Sequence, residues 1–289
     1  MCGGKKWMTR LGGNGISRSG AGAPTASGLK KSLALRTRAR VCADASGNET
    51  GMIGPVSDRF QAVLFDAGGV LVLPDPTVLG PLLAYYGGDP SLEANCRAHY
   101  AGMAAKSAAG SGEVFWDEYN HSYVRSVGIA DRDADAAADL LHRTRTAYLW
   151  RWPIPESLSA LATLAAAGLP MGVVSNASGQ IADVLVRSGV CQAGEGRHVA
   201  MRVVIDSHVV GVAKPDPRIF DHALAHFDGI ERSHIAYIGD SVTMDVGAAR
   251  AAGLHPILLD PYDDHPDGDF DRIRSLTDLT SNQIVVRIP

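Results

Sequence analysis

Asp66 ends a short apolar run, Ala62–Phe65, and three small residues follow it at once, Ala67, Gly68 and Gly69. Ser175 and Asn176 end a second run, Pro170–Val174, and Gly239 with Asp240 end another, His234–Ile238. Lys214 lies in "AKPDP", just before a helix that Pro217 can open, and Asp245 closes "GDSVTMD". One hydroxyl, one lysine and three carboxylates suit phosphoryl transfer. Asp66 can attack phosphorus and form an aspartyl phosphate, which splits one hard step into two. The small residues after it let backbone amides approach the phosphate oxygens. Ser175 and the amide of Asn176 can hold those oxygens at the start of a helix. Lys214 supplies a point charge to the nucleophile and the transferring group. Asp240 and Asp245, with Asp66, make an oxygen-rich corner for Mg²⁺, whose charge offsets the repulsion between an anionic nucleophile and an anionic substrate.

Each piece has a plainer reading when taken alone. "FDAGGVL" is also a strand and a glycine turn, "VVSNAS" a helix N-cap, "KPDP" a solvated turn, and "GDSVTMD" an acidic helix start. The elements that carry them make the functional reading cohere. From Phe60 onward, short apolar runs alternate with helical patterns, the mark of an α/β parallel sheet with crossover helices. Expected strands are Ala62–Phe65, Pro170–Val174, Arg202–Ile205, His234–Ile238 and Pro256–Leu259, with Gln283–Ile288 as an edge. Expected helices include Glu156–Ala167, Gln180–Ser188, Pro217–Phe227 and Thr243–Ala252. Ligands of open parallel sheets bind beyond the carboxyl ends of the strands, so three polar strand ends point to one shared site.

The set "FDAGGVL", "VVSNAS", "VAKPDPRIF" and "YIGDSVTMD", in that order, resembles the four motifs of the haloacid dehalogenase superfamily. The resemblance runs roughly from Phe60 to Pro261 and implies a phosphatase-like hydrolase with a Rossmann-like core and Mg²⁺. It assigns Asp66 as nucleophile, Ser175 as phosphate ligand, Lys214 as the motif lysine, and Asp240 and Asp245 as the metal-side acids. Members often carry a helical cap between the first two motifs. Residues 75–152 are expected to be that cap, residues 58–74 and 153–289 the core, and residues 1–57 a disordered tail. Within the cap, Ser111 suits a helix N-cap, and Asp131–Trp150 puts Ala134, Ala138, Leu141 and Tyr148 near one stripe. The cap offers His99, Tyr100, Lys106, Trp116, Tyr119, His121 and Arg125 as substrate contacts.

One position departs from the pattern. Superfamily phosphatases usually carry a second Asp two residues after the nucleophile, to protonate the leaving oxygen and later activate water; here it is Gly68. The carbonyl that this position lends to the metal is retained. The expected defect is therefore in proton transfer, where a positioned acid is worth about 10²–10⁴-fold. Gly68→Asp is expected to raise turnover of alkyl phosphates more than aryl phosphates. His99, His121 and Tyr119 are conceivable replacement donors, and Asp75 is too far along the chain. The leading expectation is a hydrolase of a small phosphorylated metabolite. A non-catalytic phosphate-binding regulator and a carbon–halogen hydrolase remain open alternatives.

The 289-residue chain has a net charge of −4, but residues 1–43 hold nine basic residues and no acid, so the remainder carries −13. An acidic body excludes an electrostatic footprint for nucleic acid. No apolar run approaches the eighteen or so residues of a membrane span. Four scattered cysteines without paired spacing argue against a zinc site or disulfide framework, and favour a reducing, cytoplasmic setting. The Arg-rich, Ser-bearing N-terminal segment also fits an organelle transit peptide or translated upstream sequence. Oligomeric state is not readable from the chain.

Overall fold

The computed structural model describes residues 40–43, 49–53, 56–112, 114–281 and 284–287. The chain opens with β1 (Arg40–Ala43), β2 (Glu49–Ile53) and the short α1 (Val56–Arg59). β3 (Ala62–Phe65) and β4 (Val72–Pro74) follow, then four helices: α2 (Pro76–Ala84), α3 (Leu92–Ala108), α4 (Asp117–Ser126) and α5 (Asp131–Thr144). Next come β5 (Trp150–Pro153), α6 (Pro155–Ala166), β6 (Met171–Ser175) and α7 (Ile181–Arg187). The short pair β7 (Cys191–Ala193) and β8 (Val199–Met201) precedes β9 (Val204–Asp206), α8 (Ser207–Val210) and α9 (Ile219–Leu224). β10 (Ile235–Gly239) leads through one wide π-type turn, Val242–Val246, into α10 (Gly247–Ala251). β11 (His255–Leu259), β12 (Asp271–Ile273) and β13 (Ile284–Arg287) close the chain.

The main sheet runs β1-β2-β13-β12-β11-β10-β3-β6-β9. From β12 to β9 every pairing is parallel, with β3 between β10 and β6 at its centre. Helices cover both faces, which is why β3, β6 and β10 are buried at every position and read as unbroken apolar runs. The strand period of two still sorts their side chains. Val63 and Phe65 join Leu161, Leu164 and Leu185 on one face, while Ala62 and Leu64 join Phe220, Phe227 and Ala249 on the other. At about 25 cal/mol per Å² of apolar area, these two layers supply the main force holding the strand ends in register.

Between β4 and β5, the four helices build a separate core from Leu79, Leu83, Tyr119, Tyr123, Ala137 and Leu141. β4 and β5 pair antiparallel, so the helical segment leaves and returns on a two-stranded ribbon. Sequence pattern misses that ribbon because its short strands end in Pro74 and Pro153. α4 starts at Asp117 with no side-chain cap, and Ser111 instead donates to Glu118, so the expected cap at Ser111 does not form. Nor does Tyr148 join the α5 stripe: the helix ends at Thr144 and Tyr148 is exposed.

The expected tail ending at residue 57 is corrected at its C-terminal part. β2 pairs antiparallel with β13, more than two hundred positions away, and β1 pairs antiparallel with β2, so residues 40–43 and 49–53 form strands although the stretch has no apolar period of its own. Residues 1–39, 44–48 and 54–55 of that expectation lie outside the described residues. Among the described residues, no helix is long and apolar enough to cross a membrane.

Candidate active site

Asp66, Ser175 and Asp240 lie at or just past the C-terminal ends of the adjacent strands β3, β6 and β10, which brings residues far apart in sequence to one rim of the sheet. They line one cavity of about 400 Å³ together with Gly68, Lys214 and Asp245. One oxygen from each of Asp66, Asp240 and Asp245 lies within 4.8 Å of the others.

Lys214 ties the cluster together. Its Nζ is 2.8 Å from Asp66 Oδ2 and 2.7 Å from Asp245 Oδ1, and it donates to the Tyr237 hydroxyl at 2.8 Å. Burial works against its charge, but Asp245 and Asp66 outweigh it and hold the lysine firmly protonated, above its ordinary range. Burial pushes Asp66 up to about 7; Lys214 opposes this, and Asp245 and Asp240 add to it. Burial likewise raises Asp240, against the pull of His99.

Asp245 is fully committed within the protein. Its Oδ1 accepts from Lys214 and Tyr237, and its Oδ2 from the amides of Asp240 and Ser241. Asp66 has fewer partners, accepting from Lys214 and from the amide of Ala67 at 2.7 Å. Asn176 grips the backbone of Lys214 at both ends: its side-chain oxygen accepts from the amide and its nitrogen donates to the carbonyl. Sequence analysis puts Ser175 and Asn176 at a helix start, but α7 begins only at Ile181. Asp206, from the end of β9, meets the amides of Gly179 and Ile181 there. The cavity wall at Ser175 is therefore a loop.

The two glycines after Ala67 have distinct reasons. Gly69 has φ +70°, and a Cβ there would sit 1.8 Å from Asp240 Oδ2 and 2.6 Å from His99 Nε2. Gly68 faces the indole of Trp150, which would lie 3.1 Å from any Cβ at that position. A second acid there would press against Trp150, so Gly68→Asp needs the indole to shift by a few tenths of an ångström.

Of the seven residues of the helical segment expected as contacts, Lys106 and Trp116 line the cavity, with the lysine 3.7 Å above the indole centroid. His99 reaches Asp240 Oδ2 at 2.9 Å, with Tyr119 behind it, and Tyr100 donates to the Gly69 carbonyl. His121 and Arg125 engage Asp135 and Asp131 on the surface, away from the cavity. Asp75 caps α2 and pairs with Arg151, so it supplies no replacement acid. Tyr237 and Trp150 escape sequence reasoning, since an aromatic in an apolar run or beside prolines carries no mark of a polar site. Arg145 escapes it too, its guanidinium lying 4.2 Å from the Trp116 ring centroid at the cavity wall.

A parallel sheet with a carboxylate–lysine cluster at its C-terminal rim, and a helical insert after the first strand of that cluster, defines an α/β class with an acidic site at the strand ends. The sequence model of the haloacid dehalogenase-like hydrolases matches residues 60–253, and the chain belongs to that family. It is 34% identical over 131 residues to haloacid dehalogenase-like hydrolase domain-containing protein 3 of Bos taurus, covering 44% of this chain and 49% of that protein. It is 30% identical over 155 residues to glyceraldehyde 3-phosphate phosphatase of Methanopyrus kandleri, covering 50% of this chain and 62% of that protein. With phosphoserine phosphatase of Thermus thermophilus the identity is 30% over 164 residues, covering 56% and 61%. The chain thus spans about half to three-fifths of the length of these relatives.

Proposed function

We propose that the protein hydrolyses small phosphate monoesters through an aspartyl phosphate on Asp66. The observation that carries this reading is Lys214, buried and bridging Asp66 and Asp245, with Asp240 in the same cavity. Asp66 attacks phosphorus; its O–P bond forms as the ester P–O bond breaks and the leaving oxygen departs. Lys214 holds the nucleophile and balances charge on the transferring group. Ser175 and the Gly68 amide contact the phosphate oxygens, the amides of Ala67 and Gly69 being taken by Asp66 and Val72. Water then attacks phosphorus, releasing phosphate and restoring Asp66. With no side chain at Gly68 to give a proton, esters with good leaving groups turn over best.

The donor set fits Mg²⁺. Carboxylate and carbonyl oxygens suit a hard cation, and the three acids converge in one cavity. Asp66, the Gly68 carbonyl and Asp240 would hold the ion, while Asp245, its oxygens taken by four donors, supports it through Lys214. When bound, the cation neutralises charge as nucleophile and phosphate approach each other. In this reading, residues 75–152 act as the cap and residues 58–74 and 153–289 as the core, and the leaving group lies toward Trp116 and Trp150.

Trp150 over Gly68 favours a second reading, a phosphate-binding regulator without turnover. One assay separates the two: Mg²⁺-dependent release of phosphate from an aryl phosphate by the parent and by Asp66→Asn. Release by the parent alone supports the hydrolase. Release by neither, with binding of a phosphate mimic retained, supports the regulator.

A further inference from the structure

We propose that His99, on α3, is a positioning residue that aims the Asp240 carboxylate at the divalent cation, an inference that rests on the metal-site reading above. His99 and Asp240 are 141 positions apart, and the histidine side chain is fully buried. The carboxylate oxygen can only accept, so Nε2 carries the proton and donates to Oδ2 at 2.9 Å. Nδ1 lies 2.9 Å from the Tyr119 hydroxyl. One tautomer satisfies both contacts, with Tyr119 donating to Nδ1 and Nε2 donating to Asp240. Burial raises the Tyr119 hydroxyl well above its ordinary range and so keeps it a donor. Edge contacts with Trp150 and Tyr100, at centroid distances of 5.2 and 5.0 Å, fix the plane of the ring.

Two further observations give this chain of bonds a direction. Any side chain at Gly69 would collide with both Asp240 Oδ2 and His99 Nε2, so the glycine keeps open the gap through which they meet. Asp240 Oδ1 accepts no hydrogen bond among the described residues, and Asp240 lines the cavity. One oxygen is therefore held from behind, while Asp240 itself lines the cavity and its other oxygen keeps its acceptor capacity. That is the arrangement by which outer-shell partners orient metal-binding carboxylates, and losing such a partner typically costs about 10–100-fold in metal affinity. The helical segment thus contributes a residue to the metal site through Asp240.

The test is calorimetric titration of Mn²⁺ into the full-length, substrate-free protein, with melting temperatures recorded for every variant. His99→Phe is expected to weaken Mn²⁺ binding by about 10–100-fold. His99→Gln, whose amide can donate to Oδ2, is expected to recover part of that loss, and Tyr119→Phe to produce a smaller loss than His99→Phe. At saturating Mg²⁺, kcat for an aryl phosphate should return toward the parent value in His99→Gln. Unchanged or tighter Mn²⁺ binding in both His99→Phe and Tyr119→Phe, with parent-like melting, overturns the role of His99 and leaves the metal site standing. Absence of Mn²⁺ binding in the parent overturns the metal site and this role together.

Discussion

Burial lifts Asp66 to about 7 from 3.8, and its two carboxylate neighbours add to the effect while Lys214 opposes it. The folded chain therefore holds a proton that the unfolded chain releases between these values. Stability is lost as pH rises from about 4 through 7, and the loss is complete above that. Asp66→Asn removes the charge, and Lys214 keeps Asp245 and Tyr237 as partners. In chelator at pH 8 this variant should melt a few degrees above the parent, each kcal/mol being worth roughly 2–4 °C for a domain of this size. Near pH 4 the two should converge, and calorimetry showing a lower melting point at pH 8 would contradict the electrostatic account. At Gly68 the controlling neighbour is Trp150. Gly68→Asp alone is expected to gain nothing on alkyl phosphates. Combined with Trp150→Leu, it should gain at least about tenfold over either single change, the low side of what a general acid contributes. A full gain from Gly68→Asp alone would show that the indole is no obstacle.

Strand ends and the loops beside them set the scale of the charge cluster. β10 supplies Tyr237, Asp240 follows its last residue, the turn after it supplies Asp245, and the loop before α9 supplies Lys214. Asn176, just past β6, fastens that loop by two side-chain hydrogen bonds to the backbone of Lys214. Lys214 is almost wholly buried, so replacing it leaves Asp66 and Asp245 facing each other without a cation. Lys214→Met is expected to cost about 3–5 kcal/mol in the metal-free protein, the usual result of breaking a buried ion pair. Added Mg²⁺ should recover part of the lost melting temperature, because it restores positive charge beside Asp66. A variant as stable as the parent in chelator would mean that water already relieves the two carboxylates.

At the scale of the whole molecule, the helical segment has its own apolar core, and polar contacts tie it to the sheet. Arg97 on α3 makes two 2.7 Å bonds to Asp264, beyond β11, and stacks on Tyr262. Ser107 accepts from the amide of Val242. The Arg97–Asp264 pair is partly exposed, so Arg97→Ala should cost only about 0–1 kcal/mol of global stability. Its effect should be local: amide exchange along α3 accelerates while β3 and β10 remain protected. Uniform acceleration across the molecule would show that helices and sheet open as one body.

How much of this was legible in the sequence follows from how each feature is encoded. A parallel strand covered on both faces must be apolar along its length, so the polar residues that end β3, β6 and β10 stand out in a linear reading. Parallel pairing then sends those ends to one rim. The sequence by itself therefore determined the α/β class, the helical insert and the meeting of Asp66, Ser175, Lys214, Asp240 and Asp245. It also showed that Gly68 has no acid to offer. Only the tertiary structure decided what lies against that place, which residue of the helical segment reaches the acids, and that residues 40–43 and 49–53 form strands. Those outcomes depend on packing between segments tens to hundreds of positions apart: Trp150 on Gly68, His99 on Asp240, β2 on β13. Local periodicity records which face of an element is buried, and carries no mark of which distant side chain will lie against it.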